Sequence, residues 1–257
     1  MRLRDKVIIV TGSTTGIGEA IARRCVAGGA RVLVHGRDRA RGERLVAELG
    51  AAARLHVDDL ADPAAAARIV QAAADSWGKI DALVNNAANL ARSNLASTTV
   101  EFFDRMMAIN VRAPLLLVQA AHDWLKKSRG AVLNIGSMNA YCGEANLLAY
   151  SISKGGLMTM SRNLADSLGR EQIRVTHFNV GWVLTENEYK LKLEDGLPEG
   201  WPEHVSKVFA PSGRLLKPEE IAGAAIYWLS DESRPISGSV IELEQYPIIG
   251  RNPTKED

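Results

Sequence analysis

Short apolar runs alternate along this chain with longer stretches in which apolar residues recur every three or four positions. The runs at residues 6–10, 31–35, 54–57, 82–85, 131–136, 175–179 and 240–243 are short and mostly apolar throughout, with Val, Ile and Leu prominent. That is the pattern of strands covered on both faces rather than on one. The intervening stretches at 17–27, 39–49, 63–77, 100–127, 147–168 and 218–229 carry the helical period. Repeated βα units with such strands predict an α/β fold, a doubly wound parallel sheet joined by right-handed crossovers. No Pro- or Ser-rich linker and no repeat interrupts the series, so residues 1–257 read as a single domain. One segment breaks the rhythm. Residues 184–216 hold Pro198, Pro202 and Pro211, several Gly and no clean period, and predict a lid-like insertion between the sixth and seventh strands.

Composition narrows the function classes. The 31 Lys and Arg are balanced by 30 Asp and Glu, which gives no electrostatic case for nucleic acid or an anionic membrane as partner. Cys25 and Cys142 stand alone, without the spacing of a disulfide framework or a zinc site, so no metal is expected. The first residues run straight into an apolar strand, and no apolar run approaches membrane-spanning length. A soluble, cytoplasmic protein is the expectation.

The first predicted strand ends in Val10-Thr11-Gly12-Ser13-Thr14-Thr15-Gly16-Ile17-Gly18, after which a helix begins. Glycines at such a junction permit a tight turn and close approach of a pyrophosphate to free N–H groups at the helix start. The spacing G-x-x-x-G-x-G departs from the common G-x-G-x-x-G, and three glycines could also serve only the turn; their place after strand one favours a dinucleotide site. At the tip of strand two, His35-Gly36-Arg37-Asp38 offers Arg37 for the 2′-phosphate of NADP, while Asp38 would serve the ribose of NAD if the strand ended one residue later. NADP(H) is favoured, and NAD(H) stays open.

Tyr150 and Lys154 are spaced i, i+4 on a predicted helix, which sets a phenol beside an ammonium. A free phenol titrates near pH ~10, so proton transfer at neutral pH needs a neighbouring cation. Ser137 lies thirteen residues upstream. An acyl-transfer role for Ser137 is the rival reading, but Gly136-Ser137-Met138-Asn139 lacks the second glycine of G-x-S-x-G.

With the glycine turn, Asn85-Asn86-Ala87, Asn110, Ser137, Tyr150 and Lys154 in this order, the chain resembles the short-chain dehydrogenase/reductase family over essentially its whole length. The resemblance implies a Rossmann-like fold and a carbonyl or alcohol substrate. It places Thr11, Gly12, Ser13, Thr15, Gly16, Ile17 and Gly18 at the diphosphate, Asp59 and Leu60 at the adenine, and Asn85, Asn86 and Ala87 along the cofactor. Gly181, Val183 and Thr185 would flank the nicotinamide, and Tyr150 and Lys154 would also touch the cofactor. Asn110, Ser137, Tyr150 and Lys154 would form a catalytic tetrad, with Asn110 anchoring a water that relays protons to Lys154. A catalytically silent dinucleotide sensor or scaffold is the competing class, and the complete tetrad argues against it.

Three departures stand out. Ala88 follows Asn-Asn-Ala where the family carries Gly, Val180-Gly181 replaces Pro-Gly and implies a less rigid nicotinamide loop, and Glu242-Leu243-Glu244-Gln245-Tyr246-Pro247 replaces Asp-Gly-Gly after the last strand. For substrate, Asn139, Asn146, Trp182, Tyr189 and Trp201, together with Glu144 and Glu186, form a polar and aromatic set suited to a sugar or polyol stacked on indole, with a 3-oxoacyl thioester as the main alternative. The tail around Tyr246 and Arg251 is a second place where substrate choice could reside. The apolar excess on stretches 100–127 and 147–168, including Met106, Met107, Leu115, Leu116, Leu117, Leu157, Met158 and Met160, together with the resemblance implies a homotetramer or dimer.

Overall fold

The computed structural model describes residues 1–248, so Arg251 of the tail lies outside the described residues. Its core is one seven-stranded sheet, every pairing parallel, in the order β3-β2-β1-β4-β5-β6-β7. The strands are β1 (Val7–Val10), β2 (Arg31–Gly36), β3 (Ala53–Val57), β4 (Ala82–Asn85), β5 (Ala131–Ile135), β6 (Arg174–Val180) and β7 (Val240–Leu243). The helices are α1 (Gly16–Ala27), α2 (Arg39–Leu49), α3 (Ala65–Trp77), α4 (Val100–Met107), α5 (Ala113–Ser128), α6 (Leu148–Leu168), α7 (Glu186–Glu194) and α8 (Pro218–Leu229). Every residue of β1, β4, β5 and β6 is buried.

Alternation along the strands sorts this burial into two cores. Ile8, Val10, Val32, Val34 and Phe178 meet Ile21 of α1 and Ile221 of α8 on one face. Ile9, Leu33, Leu83 and Val132 meet Ile69 of α3 and Leu117 of α5 on the other. The chain winds outward from β1 to β3 and then returns to place β4 beside β1. This reversal opens a crevice at the carboxyl ends of β1 and β4, the place where open α/β sheets bind ligands.

The stretch at 100–127 is not one helix. α4 and α5 are separated by a wide, π-type turn at Ala108–Arg112. Pro114 in the first turn of α5 supplies the reason, because it has no N–H for the Asn110 carbonyl four residues back and its ring crowds that carbonyl. The expected dimer face is thinner than the sequence suggests, since Met106, Leu117 and Leu157 are buried within the chain itself.

The insertion is more ordered than its prolines imply. Leu184 N–H donates to Leu216 O (2.8 Å) and Leu216 N–H to Trp182 O (3.1 Å), closing the segment at its base. Above that closure stand α7, a short 3₁₀ turn at Trp201–His204, and a small core of Trp201, Ala210 and Leu215 packed with Trp182, Leu184, Tyr189 and Leu193. Among the described residues no helix is long and apolar enough to cross a membrane.

Candidate active site

The glycine turn is held from both sides. Thr11 Oγ donates to Val84 O and accepts from Asn86 N and Ala87 N at 3.0 and 3.1 Å, while Asn86 Nδ2 donates to Thr11 O and Gly12 O at 2.9 and 3.1 Å. A Cβ on Gly12 would lie 2.8 Å from Ala87 Cα, and one on Gly18 would lie 2.3 Å from Asn86 Nδ2. Both glycines are thus explained by packing of the turn against the Asn86 loop. Gly16, at φ 59°, sits against Thr185 at the root of the insertion. Thr15 precedes α1 without a side-chain cap, which leaves first-turn N–H groups open to an anion. These features fit a diphosphate.

Three of the expected contacts face inward. Asn85, at the end of β4, is 2% exposed and turns its amide to Asn134 Oδ1 (2.8 Å) rather than to the cofactor crevice. Ser13 is fully buried, its hydroxyl donating to Val10 O (2.6 Å), so only its backbone can face the crevice. Leu60 is buried in the second core and likewise offers only backbone. Asp59 accepts from Ala61 N (3.0 Å) and pairs with Arg105 (3.2 Å). These bonds hold its carboxyl below the usual range, against a smaller opposing effect of burial.

At the tip of β2, Asp38 caps α2 by accepting from Arg41 N (3.0 Å) and also faces Arg41 Nε at 3.4 Å. Its carboxylate is therefore occupied, whereas Arg37 is exposed and makes no ion pair among the described residues. Arg41, which sequence reasoning passed over, joins Glu186 of α7 through both guanidinium nitrogens (3.2 Å each) and reaches Thr15 Oγ (3.4 Å). It lies in the basic run Arg37, Arg39, Arg41, of which only the first stands directly at the strand tip.

Tyr150 lies in the first turn of α6 and Lys154 one turn further. Lys154 is 3% exposed, donates to Ile135 O (2.8 Å) and holds its ammonium 5.6 Å from the Tyr150 ring centre. Burial pushes Lys154 down to about 8. Burial pushes the Tyr150 phenol up to about 12, opposed by a hydrogen bond with Ser137 and reinforced by the negative charge of Glu188. Ser137, extended at φ −153°, also accepts from Asn139 N (3.2 Å). Asn110 sits inside the π-type turn, accepts from Asn89 N (2.7 Å), and donates to Asn89 O (3.1 Å) and Ser153 Oγ (2.9 Å). The wide turn thus directs Asn110 toward α6, one residue from Lys154.

A cavity of about 960 Å³ opens above Ser137 and Tyr150, lined also by Asn139, Gly181, Trp182, Val183, Thr185 and Trp201. Asn146 and Tyr189 do not line it. Asn146 is exposed and its carbonyl accepts from Ser93 N, while Tyr189 is stacked on Trp201 at 6.1 Å and its hydroxyl accepts from Gly200 N. Trp201 is 2% exposed and lies between Tyr189 and Trp182 (5.5 Å), so both indole faces are covered and no sugar can stack there.

The wall instead carries charge that the sequence did not flag. Glu188, Glu244, Arg92 and Lys192 line the cavity, with both cations held on Asp195 at 2.8 and 3.4 Å. Glu188 Oε1 accepts from Trp182 Nε1 (2.8 Å). Glu244 resolves two of the departures at once. Its carboxylate fills the space beside Gly181 and accepts from Trp182 N (2.9 Å), restraining the loop that lacks the family's proline.

A family model described as Enoyl-(Acyl carrier protein) reductase matches residues 12–244. The chain is 33% identical to a sorbitol dehydrogenase from Cereibacter sphaeroides, over 98% of this chain and 99% of that protein. It is 33% identical to a D-threitol dehydrogenase from Mycolicibacterium smegmatis, over 95% and 93%. Among solved structures, a 3-ketoacyl-(acyl-carrier-protein) reductase from Brucella melitensis complexed with NADH superimposes with a TM-score of 0.82 at 32% identity, over 93% of this chain and 97% of that one. With the parallel sheet, the glycine crevice and the Ser137, Tyr150 and Lys154 cluster in place, the chain belongs to the short-chain dehydrogenase/reductase family of oxidoreductases.

Proposed function

We propose that the protein interconverts a ketone and a secondary alcohol on a sugar- or polyol-like small molecule, with NAD(P)(H) as cofactor. The observation that carries this reading is the meeting of Ser137 and Tyr150 on the floor of a cavity that adjoins the glycine crevice, with Lys154 buried one helical turn beyond Tyr150. The cofactor would be held by the first turn of α1 with Gly12 and Gly16, by Asp59, by Asn86 and Ala87, and by Thr185 beside Gly16. When bound, its nicotinamide supplies or receives the hydride.

Ser137 donates to the substrate oxygen, and Tyr150 gives that oxygen its proton in reduction or takes it in oxidation. Lys154, one turn along the same helix, stabilises the phenolate formed. Asn110 orients a water that returns protons to Lys154. Arg37, without an ion pair among the described residues while Asp38 caps α2, supports NADP(H) over NAD(H).

The named activities of the sorbitol and threitol relatives support the polyol reading. So does the wall, where Arg92 and Lys192 are already paired with Asp195 and one oxygen of Glu188 has no partner among the described residues. Such a wall suits neutral hydroxyls better than anions. A 3-oxoacyl thioester is the second reading, favoured by the likeness to the 3-ketoacyl reductase from Brucella melitensis and by the enoyl reductase family model. The insertion over the cavity would act as a lid, the half-buried Met107, Leu115, Leu116, Met158 and Met160 would meet a second copy in a dimer or tetramer, and a single-domain cytoplasmic enzyme is the remaining part of the proposal. Spectrophotometric turnover of NADPH and NADH against ketoses, polyols and acyl thioesters tests it. Absence of turnover with all of them would leave the dinucleotide-binding scaffold.

A further inference from the structure

Behind the floor of the cavity runs a chain of buried side chains that the proposed chemistry does not use. Asn85 Nδ2 donates to Asn134 Oδ1 (2.8 Å), Asn134 Nδ2 donates to Ser161 Oγ (2.8 Å), Ser161 Oγ lies 3.0 Å from His177 Nδ1, and His177 Nε2 lies 2.9 Å from Asn179 Oδ1. Asn179 Nδ2 ends the series on Met158 Sδ (3.4 Å). With the His177 proton on Nε2 and the Ser161 hydroxyl donating to Nδ1, every member donates in one direction. The Ser161 hydroxyl also lies 2.7 Å from Leu157 O, but that helical carbonyl has the Ser161 N–H, whereas an unprotonated Nε2 would face the Asn179 oxygen without a donor. All five residues are at most 2% exposed, so any broken link leaves an unpaired polar group in the core.

The chain ties together the ends of β4, β5 and β6, and His177 is its least expected member. Its imidazole occupies the space where the side chain of residue 136 would stand. A Cβ on Gly136 would lie 2.1 Å from His177 Nε2 and 2.8 Å from Asn179 Oδ1. Gly136 has no left-handed φ that would require glycine. The imidazole has no room to yield, being fully buried and bonded at both nitrogens. Gly136 immediately precedes Ser137 and follows Ile135, whose carbonyl receives Lys154.

We propose that His177 is a positioning residue for the reaction: it fixes the turn after β5, and with it Ser137, through the space that Gly136 leaves open. The inference rests on the catalytic reading of Ser137 and Tyr150. It makes residues 136 and 177 a complementary pair in which a side chain is admitted at one position only.

The test is a double-mutant cycle on the full-length protein with Gly136→Ala, His177→Ala and both together. The readouts are kcat and KM for sorbitol oxidation, NADPH affinity by fluorescence titration, and crystal structures of the single and double variants. Gly136→Ala is expected to lower kcat at least thirtyfold with less than a threefold change in NADPH affinity, and to move Ser137 Oγ away from the Tyr150 hydroxyl. In the His177→Ala background the same methyl should cost less than threefold, and the double variant should return Ser137 to its place. His177→Gln, which keeps a donor for Asn179, should retain more kcat than His177→Ala. If Gly136→Ala is insoluble alone, recovery of soluble, cofactor-binding protein by adding His177→Ala is the same coupling.

Multiplicative, independent effects of the two substitutions, or an unmoved Ser137 in Gly136→Ala, would overturn the inference. A wild-type protein without polyol turnover would instead count against the proposed function, and the crystal structures would still decide the positioning role.

Discussion

Lys154→Met should make the cofactor-free protein more stable at neutral pH while removing its activity. The wild-type ammonium is buried, its one described hydrogen bond goes to Ile135 O, and burial depresses it from 10.5 to about 8. At about 1.36 kcal/mol per unit, holding that charge in place costs roughly 3 kcal/mol at pH 7. Methionine restores that amount but forfeits a charged hydrogen bond of about 1.5–3 kcal/mol, for a net gain of at most about 1.5 kcal/mol. The sign with pH follows from linkage. Between about pH 8 and 10.5 the unfolded lysine holds a proton that the folded one has lost, so wild-type stability gains on the variant as pH rises through this window. Tyr150, pushed up from 10.0 to about 12, acts oppositely, but only above pH 10. Urea unfolding of both apo proteins at pH 7 and pH 10 measures the difference. We expect the variant to be ahead at pH 7 and the gap to close or reverse by pH 10. A less stable variant at pH 7, or a gap independent of pH, would refute the reasoning.

Arg37→Ala should weaken NADPH ten- to a hundredfold, from loss of a charge-assisted phosphate contact worth ~1.5–3 kcal/mol, and leave NADH nearly unchanged by fluorescence titration. Equal effects on the two cofactors would make Arg37 a surface cation. Trp201→Ala empties the centre of the insertion's own core, and amide exchange in residues 184–216 should rise by orders of magnitude while the β1 to β6 amides keep their protection. Loss of protection throughout would show that the insertion and the sheet unfold as one unit. Arg41→Ala removes a solvent-screened surface pair, so melting should barely shift while exchange at the start of α7 increases.

The sheet and its crevice were legible because fully buried parallel strands write themselves as apolar runs. All seven runs are strands in the structure. The Tyr150 and Lys154 pair was legible because both residues are local to one helix. What escaped depends on partners distant in the chain. The break at Ala108–Arg112 hides in a continuous apolar period, and Pro114 was the signal that could have revealed it. Trp201 looks like a platform in sequence, but Tyr189 and Trp182 cover both its faces. Ser13 and Leu60 match the motif by position, yet their side chains face the core. Glu244 reads as a departure until Gly181 and Trp182 are seen beside it, and Gly136 reads as an ordinary turn residue until His177 is found across the strand.

The central claim is that Tyr150 moves a proton as hydride crosses to a substrate carbon. Its most direct test supplies NADPH deuterated at the transferring position, with fructose as the probe, to wild type and Tyr150→Phe, and reads deuterium in the product by mass spectrometry. The account predicts one deuterium on the new alcohol carbon with wild type, and turnover lower by at least a thousandfold with Tyr150→Phe at unchanged NADPH affinity. Comparable turnover by Tyr150→Phe, or cofactor oxidation that delivers no deuterium to the product, would contradict it.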